Sequence, residues 1–227
     1  MLGLFRNPAI ACAIALTGAG ALAAQPLACP GGRVFTENAG AEAGRVCEAA
    51  ARATEQLETC SLTVPAPVTI AMVDALEDDC LGVYHCGERR IEILSQASYT
   101  ELRAIGAASA FASISDDAFF EGVIRHELAH AALDDLPCPF GSCLAAQEYV
   151  AYTMQVFFLP EADRAAFEAT STVEGRVPRD AISRMILLMA PNVFAQRAFQ
   201  HLMQREDPCA FIGQVARGEV LLDYEHP

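Results

Sequence analysis

Lysine is absent from this sequence, and basic residues are few. All fifteen basic residues are arginines, and they stand against 29 acidic residues, which gives a formal net charge of −14. A surface with this excess of negative charge repels phosphate backbones and anionic lipid headgroups. The composition therefore disfavours a nucleic-acid partner and docking to an anionic membrane.

Internal repeats are also missing, and no low-complexity tract stands out apart from a high alanine content. Charged residues make up only 19% of the chain and hydrophobic residues 53%, which argues against wholesale disorder. A length of 227 residues is ample for one domain with a buried core. We therefore expect a single globular domain.

The first residues have the pattern of a bacterial-type signal peptide. Arg6 precedes an apolar run from Pro8 to Leu22, and Ala21 and Ala23 provide a small-x-small cleavage site. We predict a signal peptide over residues 1–24 and a single domain over residues 25–227, secreted or periplasmic. No membrane contact is expected after cleavage. An uncleaved anchor is the alternative, and the oligomeric state is left open.

No C-x2-C pair occurs among the cysteines, which disfavours a zinc-thiolate cluster. Eight of the nine cysteines follow the predicted signal peptide, and an even set in an exported protein predicts disulfides. Cys47 and Cys60 fall on one predicted helix, about 20 Å apart, and cannot bridge. Two pairs are close enough in sequence for local disulfides: Cys80 with Cys86, and Cys138 with Cys143.

Hydrophobic periodicity predicts an α+β fold, with a small N-terminal β-sheet and a mostly helical half after it. A helix is expected from Glu42 to about Thr59, and the two prolines in Leu62–Val73 favour an edge or broken strand. Gly82–Tyr84 and Arg90–Leu94 read as a hairpin. The chain after Ser95 has helical spacing nearly to its end, over 97–105, 115–135, 142–158, 161–170, 179–189 and 192–205.

The chemistry is concentrated in the His126-Glu127-x-x-His130 motif. In a helix, a spacing of four residues places both imidazoles on one face, where they can bind a single ion. Glu127 projects beside them and can accept a proton from a water bound to that ion. We therefore predict zinc, Zn²⁺, with His126 and His130 as ligands and Glu127 as the catalytic base.

A catalytic zinc site with two histidines needs a third protein ligand. Glu148 lies in the next predicted helix among small apolar residues, an unusual place for a solvated charge, and is the expected ligand. Asp134 and Asp135 are the rivals. Asp134 stands four residues past His130 and is better placed to accept a hydrogen bond from a zinc-binding imidazole.

These residues resemble the gluzincin metallopeptidases, the thermolysin-like clan, in their minimal single-domain form. In that clan the two motif histidines and a glutamate on the following helix bind zinc, which would make the ligands His126, His130 and Glu148. The resemblance covers roughly residues 82–158 and extends to Asp134. It implies that an edge strand, here Arg90–Leu94, packs on the active-site helix and binds an extended substrate. One departure is Tyr152, which stands where these enzymes commonly have an aspartate that orients a zinc-binding histidine.

The resemblance implies an exported zinc-dependent peptidase that acts on a peptide or protein substrate with a zinc-bound water and Glu127 as general base. The group that stabilises the oxyanion is not identified by the sequence, and His201, Tyr149 and Tyr152 are the candidates. His201 is expected on a helix surface. Two alternatives stay open: a non-catalytic zinc-containing exported domain that binds or inhibits, and a metal-free helical adaptor.

Overall fold

A computed structural model describes residues 26–77, 80–105 and 109–223. The predicted signal peptide, residues 1–24, lies outside the described residues. The strands are β1 (Leu27–Ala28), β2 (Val34–Glu37), β3 (Val68–Val73), β4 (Gly82–His85) and β5 (Arg90–Leu94). The helices are α1 (Ala43–Thr59), α2 (Gln96–Ile105), α3 (Asp116–Ala132), α4 (Leu144–Phe157), α5 (Glu161–Ala169), α6 (Arg184–Met189), α7 (Pro191–Met203) and α8 (Pro208–Ala216). The predicted α+β class, with the sheet before the helical half, is confirmed.

The five strands form one mixed sheet in the order β1-β2-β3-β5-β4. The central strand β3 pairs in parallel with β2 and with β5, while β1 and β4 run antiparallel to their neighbours. The expectation of an edge or broken strand in Leu62–Val73 is wrong. Pro65 and Pro67 precede β3, so every residue of the strand itself keeps its N–H for the ladder.

The strand at the edge next to α3 is β4, not β5. The hairpin is formed as predicted, with Tyr84 opposite Ile91, but β5 is covered on its other side by β3. The expectation that Arg90–Leu94 is the edge strand is therefore wrong. Strand β4 takes that place because the hairpin adds it outside β5, and it packs against α3.

Helix α3 lies at the centre of the molecule, in contact with α1, α4 and the β4 edge. Its hydrophobic residues face several neighbours at once, and Ile124, Leu128 and Ala129 are fully buried. Such a helix holds its side chains rigidly because tight packing surrounds it on several sides. Helices α7 and α8 cover the opposite side of α4. No helix in the described ranges is long and apolar enough to cross a membrane.

Three disulfides join described residues: Cys29–Cys47, Cys60–Cys209 and Cys138–Cys143. Bonds of this kind are typical of exported proteins. The Cys138–Cys143 pair and the separation of Cys47 from Cys60 are as predicted. The predicted Cys80–Cys86 disulfide is not formed, because strand β4 lies between the two residues and spans about 10 Å, beyond the reach of a disulfide.

Candidate metal centre

The two motif histidines project from one face of α3. His126 and His130 are separated by one helical turn, and their ring centroids lie 4.9 Å apart. Their side chains retain only 12% and 16% of their exposure. Both rings therefore face the same small region beside the helix.

Glu148 reaches the same region from α4. Its Oε2 lies 3.4 Å from Nε2 of His126 and its Oε1 lies 3.5 Å from Nε2 of His130. The loop between α3 and α4 is closed by the Cys138–Cys143 disulfide. The structure thus brings together the three side chains predicted as ligands, and Asp135 is not part of the cluster in the described residues.

The cluster is compact enough to hold a single metal ion. The ligating atoms of His126, His130 and Glu148 all lie within 4.8 Å of one another. Ligand atoms that bind zinc tetrahedrally at about 2.0–2.1 Å stand about 3.4 Å apart, close to the distances of 3.4 Å and 3.5 Å between each imidazole and the carboxylate. Two nitrogens and one carboxylate also form a donor set that zinc prefers at catalytic sites. The donor set and the two imidazole–carboxylate distances therefore fit a metal ion.

Charge is shared unequally within the cluster. Burial opposes the charge on Glu148, but a hydrogen bond from His126 and the two nearby imidazoles hold its pKa below the ordinary value. Burial also opposes the charge on His126, yet hydrogen bonding to Glu148 and the two nearby carboxylates leave its pKa raised. Burial and the charge of His126 lower the pKa of His130 to about 4. Glu148 is therefore ionised and His130 neutral near pH 7, the forms that bind a metal.

Glu127 lies beside the cluster and against the edge strand. It is 5% exposed, and burial, together with the charge of Glu148, raises its pKa to about 7, against the opposing effects of His126 and of a backbone hydrogen bond from Tyr84. Gly82 of β4 leaves room for this carboxylate, because a Cβ there would lie 2.8 Å from Cγ and Oε1 of Glu127. A carboxyl group in this position can hold or release a proton near neutral pH.

Gln155 orients His126, a role that the sequence reasoning missed. Its Oε1 lies 3.1 Å from Nδ1 of His126, and Gly122 leaves space for it, since a Cβ there would meet Cγ of Gln155 at 3.2 Å. The backbone carbonyl of Gln155 also accepts a hydrogen bond of 3.0 Å from the buried Arg125. The sequence feature that indicates this role is the position of Gln155 seven residues past Glu148, which places both side chains on the same face of α4.

Asp134 does not take the role expected of it. The carboxylate of Asp134 accepts hydrogen bonds of 3.0 Å and 3.2 Å from the backbone N–H of Gly87, in the β4–β5 turn. Among the hydrogen bonds of the described residues, none joins Asp134 to a histidine of the motif. Tyr152 packs edge-on against the ring of His126, with centroids 4.6 Å apart. Asp134 fixes the edge hairpin, and Gln155 is the residue that orients a ligand.

A cavity of about 590 Å³ runs from the metal cluster along β4. Tyr152 is the one of the three oxyanion candidates that lines it. Tyr149 is fully buried, and its hydroxyl lies 2.9 Å from Nδ1 of His201 on the other side of α4. The expectation of a surface His201 is wrong, because this ring is 2% exposed and packs between α4 and α8.

No curated protein and no solved structure matches the chain. Residues 33–225 match a family of unknown function, DUF6639, and this range includes strands β2 to β5, helices α3 and α4, and the whole metal cluster. The chain therefore belongs to the DUF6639 family.

Proposed function

We propose that this chain is an exported zinc-dependent peptidase of the gluzincin type. One observation carries the proposal: a buried carboxyl group, Glu127, lies beside a His-His-Glu cluster that could hold a metal ion, and it lines the same cavity. A purely structural zinc site has no use for a proton-accepting group at this position. His126, His130 and Glu148 would hold the ion, and zinc, when bound, supplies the Lewis acidity that polarises a carbonyl and acidifies water.

The chain's own groups divide the remaining work. Glu127, with a pKa near 7, accepts a proton from water in the cavity and returns it to the leaving amine. Gln155 fixes the orientation of His126 through Nδ1. The edge strand β4 lines the cavity, and an edge strand can pair with an extended peptide backbone.

The first experiment measures zinc. Wild-type protein and a His126→Ala/His130→Ala double variant, matched for fold by circular dichroism, are compared by elemental analysis. We expect close to one zinc per chain in the wild type and loss in the variant. A folded wild type that neither holds nor takes up zinc overturns the enzyme proposal and favours the metal-free helical adaptor.

The second experiment separates a peptidase from a non-catalytic zinc-containing binding or inhibitor domain. Glu127→Gln keeps the size of the side chain and removes its ability to accept a proton. We expect this variant to retain zinc and to lose cleavage of a mixed peptide library, by about 10²-fold or more. Equal cleavage by both proteins, or no cleavage by zinc-loaded wild type, contradicts the assigned role of Glu127.

A further inference from the structure

A second cavity lies on the far side of α4 from the metal cluster. Its volume is about 490 Å³, and it contains three of the fifteen arginines of this strongly acidic chain. We call it the arginine pocket, and define it by Arg176, Arg179, His201 and Arg205 with the apolar Val177 and Phe211. Two positive charges that share a cavity, such as those of Arg176 and Arg205, repel one another unless an anion lies between them.

The pocket is held together by contacts between several elements. The side chain of Gln204, which follows α7, accepts a hydrogen bond of 3.1 Å from the N–H of Val177 and donates one of 3.0 Å to the carbonyl of Gly175. These bonds fix the loop that carries Arg176 against the end of α7. Helix α8, which supplies Phe211, is tied to the end of α1 by the Cys60–Cys209 disulfide.

His201 and Arg205 form the floor of the pocket. A guanidinium group only donates hydrogen bonds, so the contact between a terminal nitrogen of Arg205 and Nε2 of His201 leaves Nδ1 of the neutral ring to donate to the Tyr149 hydroxyl. The neutral form of His201 is favoured by burial and by the surrounding arginines, which lower its pKa to about 4. Arg205 also lies over the ring of Phe211, 4.7 Å from its centre. The guanidinium group of Arg205 is therefore held in place by His201 and by Phe211.

Two of these arginines, Arg176 and Arg205, lack carboxylate partners in the part of the chain that the structure describes. Neither Arg176 nor Arg205 forms an ion pair there, whereas Arg217, on the neighbouring surface, pairs with Glu219 at 2.7 Å. The Nε of Arg205 is buried and has no hydrogen-bond acceptor among the described residues. A buried donor left without an acceptor is costly, and an anionic oxygen in the pocket would supply one.

We propose that the arginine pocket binds a small organic anion, with phosphate or carboxylate oxygens at Arg176 and Arg205 and an apolar body against Phe211 and Val177. Arginine favours this chemistry because its planar group donates two parallel hydrogen bonds to such oxygens. The apolar wall sets a preference for an anion with a hydrocarbon or aromatic part over an inorganic ion. The pocket is separate from the metal cluster and requires no zinc.

Phenyl phosphate is a suitable probe, measured by isothermal titration calorimetry on the folded protein. We expect saturable binding at one site, weaker binding of inorganic phosphate and none of phenol. Arg176→Gln and Arg205→Gln should each weaken the affinity about tenfold, the usual effect of losing one hydrogen bond to a charged group. The exposed Arg176 keeps the test valid if Arg205→Gln fails to fold.

Arg217→Gln is the matched control, because it removes one positive charge from the same region without touching the pocket. It should bind phenyl phosphate like the wild type, and so should the His126→Ala/His130→Ala variant, which cannot hold phosphate on a metal. Absence of saturable binding at millimolar concentration overturns the proposal. Equal weakening by Arg217→Gln, or loss of binding only in the histidine variant, overturns it as well.

Discussion

The side chain of Glu127 fills the space in which a Cβ of residue 82 would lie. A Cβ built on Gly82 comes within 2.8 Å of both Cγ and Oε1 of Glu127, closer than non-bonded atoms approach. The edge strand and the proposed base are thus fitted to each other, since the strand can approach α3 only where it has no side chain. Residue 82 therefore limits where the carboxylate of Glu127 can lie.

Gly82→Ala tests this relationship. We expect the variant to keep zinc and to lose peptide cleavage by about 10²-fold, because the carboxylate is pushed away from the metal cluster. Metal content, cleavage rate and circular dichroism are measured together. Gly44→Ala is the matched control, since a Cβ there meets nothing within 4 Å. A Gly82→Ala protein with full activity would show that Glu127 does not depend on this fit.

Gln155 provides a second test, directed at the ligand cluster. Gln155→Leu removes the acceptor next to Nδ1 of His126, and we expect zinc affinity to fall about 10- to 100-fold, the usual effect of losing such a partner. Affinity is measured by competition with a chelator. Gln155→Glu keeps an acceptor oxygen and should retain most of the affinity. An equal loss in both variants would indicate a packing defect instead of lost orientation.

The helices and the residues that they place on one face can be predicted from the sequence. Periodic apolar residues define α1, α3 and α4, and the spacing of His126 and His130 within a helix is sufficient to place both rings on one face. The role of Glu148 could also be predicted from the sequence, because a carboxylate among small apolar residues needs a charged or metallic partner. The two halves of the metal cluster come from neighbouring helices joined by a short loop, so little long-range information is required.

Contacts between segments that are distant in sequence cannot be predicted in this way. The parallel pairing of β3 with β2 and β5 depends on contacts between distant segments. The apolar sequence of β3 alone does not distinguish a central position in the sheet from an edge position. The Cys60–Cys209 disulfide joins residues 149 positions apart, which no spacing rule identifies. The role of Gln155 and the inward position of His201 follow from how α4 packs against α3 and α7, and single-helix patterns do not contain this information.

His201 should make the stability of the fold depend on pH. Its pKa is lowered from about 6.5 to about 4 by burial and by the nearby arginines, so the unfolded chain binds more protons between these values. The free energy of unfolding should therefore fall as the pH drops from about 6.5 towards 4, and His201 should add no slope above that range. Urea denaturation across this window measures the effect.

His201→Gln is the comparison for this pH dependence, because glutamine does not titrate and can still form a hydrogen bond with the Tyr149 hydroxyl. Both proteins are measured free of zinc. His130 then contributes the same slope to each, since its pKa also lies at about 4, and it cancels in the difference. Identical slopes in wild type and variant would contradict a neutral, buried His201.

The two disulfides that enclose the helical half should have different effects on stability and on metal binding. Cys138–Cys143 closes a separation of 5 residues and Cys60–Cys209 one of 149. In the chain-entropy description their removal costs about 2 and about 5 kcal/mol of unfolding free energy, respectively. Double variants that replace both cysteines of one bridge by serine, compared by chemical denaturation, test this order.

Zinc affinity should fall only for Cys138→Ser/Cys143→Ser, because that bridge restrains the loop between the helices that carry His130 and Glu148. If the Cys60→Ser/Cys209→Ser protein loses zinc equally while still folded, the two metal-binding helices depend on the C-terminal helices for their alignment, and the local bridge is not what preorganises the site.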